Sequence, residues 1–139
     1  MNGFVLDATV ALRWFLNHPM PPYANRVKQF FLKGVRAVVP ALWHLEMSNG
    51  LAVAERRSIL TSADVDQAMI DIEQIVAQAI DTDSNFVSAR QSLATARAFQ
   101  LSAYDAVYLD LARRERLPLA TLDVLLRAAA AHAGVELLP

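Results

Sequence analysis

Short apolar runs alternate along the chain with longer stretches in which apolar residues recur every three or four positions. The short runs predict buried strands, and they are FVLD at 4–7, RAVVP at 36–40, AIDTD at 79–83, LPLATLD at 117–123 and VELLP at 135–139. The longer stretches predict helices, and they span 10–18, 20–34, 41–59, 62–78, 84–100, 101–116 and 124–134.

The order of these elements predicts the fold class. Strands that alternate with helices are typical of an α/β fold with a central parallel sheet, here of four to five strands, and helices on both faces. Nothing along the chain resembles a linker, a repeat or a low-complexity tract, so residues 1–139 are predicted to form a single domain. Pro19 is expected to end the first helix, and Thr61 and Ser62 offer caps for the fourth.

Composition narrows the class of protein. Of the 139 residues, 55% are hydrophobic and 19% are charged, which supports a packed core. The net charge of −1 provides no global basic field, so contact with nucleic acid must be local or assisted by a cation. The absence of cysteine excludes disulfides, thiolate zinc sites and a cysteine nucleophile. Because the N-terminal segment lacks the basic start of a signal peptide and no apolar run is long enough for a membrane span, we expect a soluble, cytoplasmic protein.

The segment LSAYDAVYLDLARRER places two aspartates on one predicted helix in different surroundings. Asp110 falls opposite the apolar stripe, near Arg113 and Arg114, and is interpreted as a solvated member of helix-surface ion pairs. Asp105 falls at the edge of the stripe, where a carboxylate costs free energy unless it is paired. The stripe consists of Leu101, Tyr104, Val107, Tyr108 and Leu111. An equally good interpretation of Asp105 alone is a capping-box residue, with Ser102 as the N-cap.

Three more acids lie where such a fold places its sites. Asp7 and Asp123 stand at the carboxyl ends of the first and fourth predicted strands, where parallel sheets bind ligands. Glu46 interrupts an otherwise apolar helix face. Its neighbours on that face are Leu42, Asn49 and Val53. Each acid also has a structural interpretation, with Asp7 and Asp123 as helix N-caps and Glu46 as a tolerated edge residue.

Taken together, the four acids indicate a cation site. Clustered carboxylates repel one another and raise one another's pKa values unless a cation neutralises them. Oxygen-only ligands suit Mg²⁺ or Mn²⁺. One or two such ions activate water and stabilise the leaving oxygen in phosphodiester cleavage.

Four blocks of the sequence, in order, resemble the signature blocks of the PIN domain, with a spacing most similar to VapC-type toxins of bacterial toxin–antitoxin pairs. The blocks are VLDATVALRWFL, WHLEMSNGLAVAERRSI, LSAYDAVYLDLA and LPLATLD, which together run through nearly the whole chain. The resemblance implies a parallel sheet between helices and metal-dependent endoribonuclease activity with Mg²⁺ or Mn²⁺. It also implies an RNA substrate, a cognate VapB-like antitoxin as partner, and a homodimer with a groove for an antitoxin peptide.

The resemblance assigns roles to individual residues. The acids of the catalytic and metal-binding motif map onto Asp7, Glu46, Asp105 and Asp123. The supporting polar residues map onto Thr9, Asn49 and Thr121. On this assignment Asp105 is a metal-site carboxylate that can also take part in capping, and Asp110 is a surface residue.

The basic and imidazole side chains have weaker claims to a role. Arg13, Arg113 and Arg114 are candidates for contacts with RNA phosphates, although a solvated helix arginine with a favourable dipole interaction is the commoner interpretation. The histidines, interpreted as structural or surface residues because they lack metal-ligand spacing, are His18, His44 and His132.

Three rival functions fit parts of the sequence. A phosphatase of the haloacid dehalogenase type also begins with an aspartate after a first strand, but it needs a second acid where Thr9 stands. A phospho-receiver domain needs a lysine late in its sheet, whereas the only lysines are Lys28 and Lys33. A PIN-like fold without catalysis, acting as a binding scaffold, is the alternative to the nuclease.

Overall fold

The computed structural model describes residues 2–16 and 19–139, and in these residues it contains seven helices and a four-stranded, all-parallel sheet. The strands are β1 (Phe4–Leu6), β2 (Ala37–Val39), β3 (Ile80–Thr82) and β4 (Leu119–Ala120). The helices are α1 (Ala8–Leu16), α2 (Pro22–Leu32), α3 (Ala41–Arg56), α4 (Ser62–Ala79), α5 (Ala89–Phe99), α6 (Ala103–Glu115) and α7 (Val124–His132). The predicted α/β class with a parallel sheet is therefore confirmed.

The order of strands in the sheet is β3-β2-β1-β4. The chain moves outward from β1 through β2 to β3, and β4 is then added on the other side of β1. The direction of winding therefore reverses between β1 and β4, where Leu6 lies opposite Ala120. In open parallel sheets this switch point is where a crevice forms outside the carboxyl ends of the strands.

Both faces of the sheet are covered at its centre. Phe4, Val5 and Leu6 are completely buried, and successive side chains of a strand point to opposite faces. The side chains of Asp81 and Thr82 on the edge strand β3 are exposed instead. The buried core thus surrounds β1 and β4, and the switch point lies at its margin.

Helix α3 approaches α1 closely at Gly50. A Cβ atom on Gly50 would lie 2.6 Å from Cδ2 of Leu12, so any other residue would force the Leu12 side chain to shift. Glu46 precedes Gly50 by four residues on the same face of α3, one turn closer to its start. The close contact therefore brings Glu46 toward the start of α1, which follows β1.

The fifth predicted strand is reduced to an isolated bridge. Leu137 pairs with Leu119 in parallel, through backbone bonds from Leu119 N–H to Glu136 O at 2.9 Å and from Leu138 N–H to Leu119 O at 2.9 Å. Strand β4 has only two residues, and only the first of them, Leu119, pairs with this segment. The strand prediction for VELLP is wrong to that extent.

Two helix predictions also differ from the structure. The helix predicted for 84–100 begins at Ala89, because Ser88 is its N-cap and accepts a hydrogen bond from Gln91 N–H at 3.4 Å. Tyr104, predicted in the apolar stripe of α6, is 64% exposed. The residues that α6 buries are Ala106, Tyr108, Leu109, Leu111 and Ala112. Tyr108 and Leu111 of the predicted stripe are therefore buried, whereas Tyr104, in the first turn of the helix, is not.

The cap predicted at Thr61 is confirmed. Thr61 is the N-cap of α4 and forms a capping box with Asp64, in which each side chain bonds to the other residue's backbone N–H. The end of the first predicted helix, with His18, lies outside the described residues. No helix in the part of the chain that the structure describes is long and apolar enough to cross a membrane.

Candidate metal centre

Asp7 directly follows β1 at the switch point and is only 2% exposed. Two threonine hydroxyls donate to its Oδ2, from Thr9 Oγ1 at 2.6 Å and from Thr121 Oγ1 at 2.6 Å. Thr9 lies in the first turn of α1, and Thr121 immediately follows β4. The two strands that flank the switch point therefore converge on one carboxylate oxygen.

The direction of both hydroxyl groups is fixed by the backbone. Leu122 N–H donates to Thr9 Oγ1 at 3.2 Å, and Asp123 N–H donates to Thr121 Oγ1 at 3.0 Å. Because each hydroxyl oxygen accepts an N–H, its own proton is directed to Asp7. Hydrogen bonds to an ionised acceptor are stronger than neutral ones, so both bonds favour the ionised form of Asp7.

Burial raises the pKa of Asp7 above its usual range and is the largest influence on it. The bonds from Thr121, Thr9 and the Thr9 backbone lower the pKa, and the charge of Asp123 raises it again. No cationic side chain is among these influences. The polar surroundings of Asp7 thus offset only part of the cost of burying its charge.

Glu46 reaches the same region from α3. Its Oε1 accepts a hydrogen bond from the Tyr108 hydroxyl at 2.6 Å. Partial burial raises the pKa of Glu46 most strongly, the bond from Tyr108 lowers it, and the charges of Asp7 and Asp105 raise it. Glu46 therefore interacts electrostatically with acids on two other elements.

Asp105 stands in the first turn of α6, whose N-cap is Ser102. Ser102 Oγ accepts the Asp105 N–H at 3.1 Å, so the predicted capping role of Ser102 is confirmed. Burial, followed by the charges of Asp123 and Asp7, raises the pKa of Asp105 to about 6. Asp105 therefore takes part in the cap of α6 and also interacts with other acids.

Asp123 follows β4 and is the N-cap of α7, where its Oδ1 accepts the Leu126 N–H at 2.8 Å. The capping interpretation of Asp123 is therefore confirmed. Its charge also raises the pKa values of Asp7 and Asp105. Oδ1 of Asp123 thus caps α7, while the charge of the carboxylate still repels Asp7 and Asp105.

The four acids are thus coupled by mutual repulsion, and no ion pair among the described residues joins a Lys or Arg to any of them. Within residues 2–16 and 19–139, no group of three or more Asp, Glu or His side chains is arranged to hold a metal ion. The donor chemistry still fits Mg²⁺, which keeps several waters and commonly takes one or two carboxylates.

The other predicted residues are spread around this cluster. Asn49 is exposed on α3, and Arg13 is exposed on α1. Arg113 stacks over the Phe99 ring at 5.5 Å, and Arg114 pairs with Asp83 at 2.7 Å. Their supporting and RNA-binding roles stay predictions.

Asp110 does not form the predicted surface ion pairs. It is half-buried and accepts a hydrogen bond from Thr95 Oγ1 at 2.7 Å. Arg114, the expected partner, pairs with Asp83 instead. Helical periodicity predicts that Asp110 faces solvent, but α5 packs against that side of α6.

Tyr108 is the residue that sequence reasoning missed. Helical periodicity predicts Tyr108 in the apolar stripe, yet its hydroxyl donates to half-buried Glu46. The available signal was a tyrosine at a buried helix position, because a buried phenol hydroxyl usually finds a polar partner. The identity of that partner depends on the fold, which places Glu46 of α3 next to Tyr108 of α6.

Comparisons with known proteins agree on the fold. Neither a protein-family profile nor a curated protein sequence matches this chain. The structure is similar to the crystal structure of PAE2754 from Pyrobaculum aerophilum, with a TM-score of 0.63 and 22% identity over 91% of this chain and 85% of that one. It is also similar to the crystal structure of FitAcB from Neisseria gonorrhoeae, with a TM-score of 0.62 and 21% identity over 98% and 96%. At these identities the likeness shows a shared fold.

Proposed function

We propose that this chain is a single PIN-like domain and a metal-dependent endoribonuclease that hydrolyses RNA phosphodiester bonds. The observation that carries the proposal is the coupling of four acids at the β1–β4 switch point, with no Lys or Arg paired to them among the described residues. A divalent cation relieves such repulsion. It also offsets the repulsion between these acids and the phosphates of RNA.

The cluster supplies the groups that such a reaction needs. The residues that would hold Mg²⁺ or Mn²⁺ are Asp7, Glu46, Asp105 and Asp123. When bound, the ion would supply a water of lowered pKa and a positive charge beside the cleaved phosphate. Thr9 and Thr121 keep Oδ2 of Asp7 in place by their hydroxyl bonds. Asn49, exposed one turn after Glu46, is the proposed third supporting residue.

The proposed biological setting rests on the resemblance to VapC-type toxins. The partners are an RNA substrate, a VapB-like antitoxin and a second copy of this chain, in the cytoplasm. Arg13, Arg113 and Arg114 are the proposed phosphate contacts. Arg114 would make such a contact while it is paired with Asp83, and Arg113 while it stacks on Phe99.

The second candidate is a catalytically silent PIN-like scaffold. One observation favours it, because no three acids in the described residues are arranged to hold a metal ion. A scaffold would retain the fold and its partners without cutting RNA. The two candidates differ in whether the protein cleaves RNA in a metal-dependent way.

The test is incubation of the purified protein with structured and unstructured RNAs in Mg²⁺ or Mn²⁺, with EDTA as the metal-free arm. We expect cleavage that EDTA abolishes. The Asp7→Asn variant should lose cleavage and keep its fold, because an asparagine oxygen still accepts the two threonine hydroxyls. The matched control is Asp110→Asn, which removes a charge outside the cluster and should cleave as the wild type does.

Two results would contradict the proposal. Wild-type protein that cuts no RNA in either metal would favour the scaffold. Equal loss of cleavage in Asp7→Asn and Asp110→Asn, with both variants folded, would mean that activity does not depend on the cluster.

A further inference from the structure

Tyr108 connects α6 to the candidate metal centre. It lies one turn after Asp105 and is completely buried. Its hydroxyl is 2.6 Å from Oε1 of Glu46. A carboxylate only accepts hydrogen bonds, so the phenol is the donor and its proton faces Glu46.

This bond leaves the two oxygens of Glu46 in different states. Oε1 is engaged by Tyr108, whereas Oε2 accepts no hydrogen bond from the described residues. The phenol has a single proton, and at 2.6 Å from Oε1 that proton is committed to this oxygen. Tyr108 is therefore a donor to one oxygen of one acid in the cluster.

We propose that Tyr108 restricts Glu46 to coordination through a single oxygen, and that it thereby makes the centre select Mg²⁺ or Mn²⁺ over Ca²⁺. The inference rests on the proposed metal centre. Ca²⁺ takes six to eight oxygens and commonly binds a carboxylate through both of them, whereas Mg²⁺ is smaller and demands octahedral geometry. The hydrogen bond occupies one lone pair of Oε1 and weakens this oxygen as a second ligand, which Ca²⁺ would use and Mg²⁺ does not need.

Tyr108 acts here as a positioning residue, because it acts through Glu46 and not on the cation or RNA. Outer-sphere partners of metal ligands typically change metal affinity about 10- to 100-fold when they are removed. A purely structural role would weaken all cations alike. Selectivity, measured as the ratio of two affinities, therefore separates the two roles.

The experiment measures binding of cations to the full chain without RNA. Thermal unfolding is followed during titration with MgCl₂ and, separately, with CaCl₂, because a ligand of the native state raises stability by mass action. We expect wild-type protein to bind Mg²⁺ more tightly than Ca²⁺. In Tyr108→Phe, which keeps the ring and removes the hydroxyl, the preference should shift toward Ca²⁺ by about 10-fold or more.

The matched control is Tyr104→Phe, which removes a hydroxyl from an exposed tyrosine one turn earlier on the same helix. It should leave the Mg²⁺ to Ca²⁺ ratio unchanged. An unchanged ratio in Tyr108→Phe, or an equal loss of affinity for both ions, would overturn the inference. If Tyr108→Phe does not fold, the wild type still decides, because equal or tighter binding of Ca²⁺ would overturn it.

The outcome is separable from that of the proposed function. A protein that binds cations with the expected selectivity but cuts no RNA would contradict the nuclease and leave the role of Tyr108 intact. A protein that cleaves RNA in Mg²⁺ while Tyr108→Phe keeps the wild-type ratio would do the reverse. Absence of stabilisation by either cation would remove the metal centre and this inference together.

Discussion

Aspartates occur next to the central strand of the sheet and also in one of its edge strands. Asp7 follows the central strand β1, whereas Asp81 lies in the edge strand β3. Arg36 holds both oxygens of Asp81, with Nη2 at 2.9 Å from Oδ1 and Nε at 3.0 Å from Oδ2. This pair lowers the pKa of Asp81, while burial raises the pKa of Asp7.

The same contrast extends to the neighbouring acids. Asp83, next to the edge strand, pairs with Arg114 at 2.7 Å. Asp105, beside the switch point, has two other acids in place of an arginine, and its pKa is raised to about 6. The chain thus neutralises acids with arginine at the edge of the sheet and groups them at its centre, where no ion pair among the described residues joins an arginine to them.

Folding alone does not explain the central arrangement. A stable fold needs its buried charges paired, because an unpaired buried charge costs free energy. Ionisable groups whose pKa values are shifted by burial and by like charges are concentrated at functional sites. The difference between the two regions therefore supports function at the switch point and a structural role at the edge.

The largest expected effect comes from removing a hydroxyl at the centre. Thr121→Val keeps the shape of the side chain but takes away its bond to buried Asp7. We expect a loss of about 1.5–3 kcal/mol in the free energy of unfolding, the usual range for a hydrogen bond to a charged group. Denaturant unfolding of the metal-free protein at neutral pH measures it.

Thr82→Val is the matched control at the edge. Thr82 lies at the end of β3, is exposed, and its hydroxyl is 2.8 Å from His44 Nε2. Exposed substitutions of this kind usually change stability by less than about 0.5 kcal/mol. Equal losses in the free energy of unfolding of the two variants would mean that the Thr121 hydroxyl contributes no more to stability than the exposed Thr82 hydroxyl.

The next effect has the opposite sign. Asp105→Asn should raise the stability of the metal-free protein at neutral pH, because it removes a charge that is disfavoured by burial and, after that, by the charges of Asp123 and Asp7. The shift in the pKa of Asp105 from 3.8 to about 6 corresponds to a gain of about 1–2 kcal/mol, after allowing for solvent that still reaches the carboxylate. Loss of a favourable interaction with the α6 dipole offsets about 0.3–1 kcal/mol of it.

The pH dependence follows from the direction of that shift. A carboxyl with a raised pKa binds its proton more readily in the folded state, so stability falls as pH rises from about 4 to 6 and then levels off. The advantage of Asp105→Asn should therefore disappear near pH 4. Thermal unfolding across this range checks it, and a variant that is less stable than the wild type at pH 7 would show that capping dominates.

Much of the fold was predictable from local patterns. The four strands and the caps at Thr61 and Ser102 depend on short runs of residues and on backbone groups within one turn. The reduction of the fifth predicted strand to a single bridge was not predictable, because its pairing depends on the length of β4. The orientation of Tyr104 and Asp110 also depends on which helices pack against α6, and periodicity alone does not specify that.

The site was predictable in composition but not in geometry. Strand ends and interrupted apolar faces predict the four acids of the candidate site from the sequence alone. The donors to them come from distant parts of the chain, as Thr121 does for Asp7 and Tyr108 for Glu46. Such contacts depend on the order of strands and on the close approach of α3 to α1 at Gly50.

The smallest effect is expected at the edge pair itself. Arg36→Gln removes the bidentate partner of Asp81, and both side chains are largely exposed. Exposed ion pairs contribute little to stability, since water and salt screen them. We expect a slight loss of thermal stability at neutral pH and low salt, and none at about 1 M salt, where charges are screened within about 3 Å.

The sign of the pH dependence makes this small effect informative. The pKa of Asp81 is lowered by Arg36, so the stability that the pair contributes is present above the ordinary pKa of 3.8 and is lost as pH falls below it. The difference between wild type and Arg36→Gln should therefore shrink on acidification, at a pH below the window in which Asp105 titrates. If the difference instead grew as pH fell toward 4, Asp81 would behave like the acids at the switch point, and the contrast between the two regions would not hold.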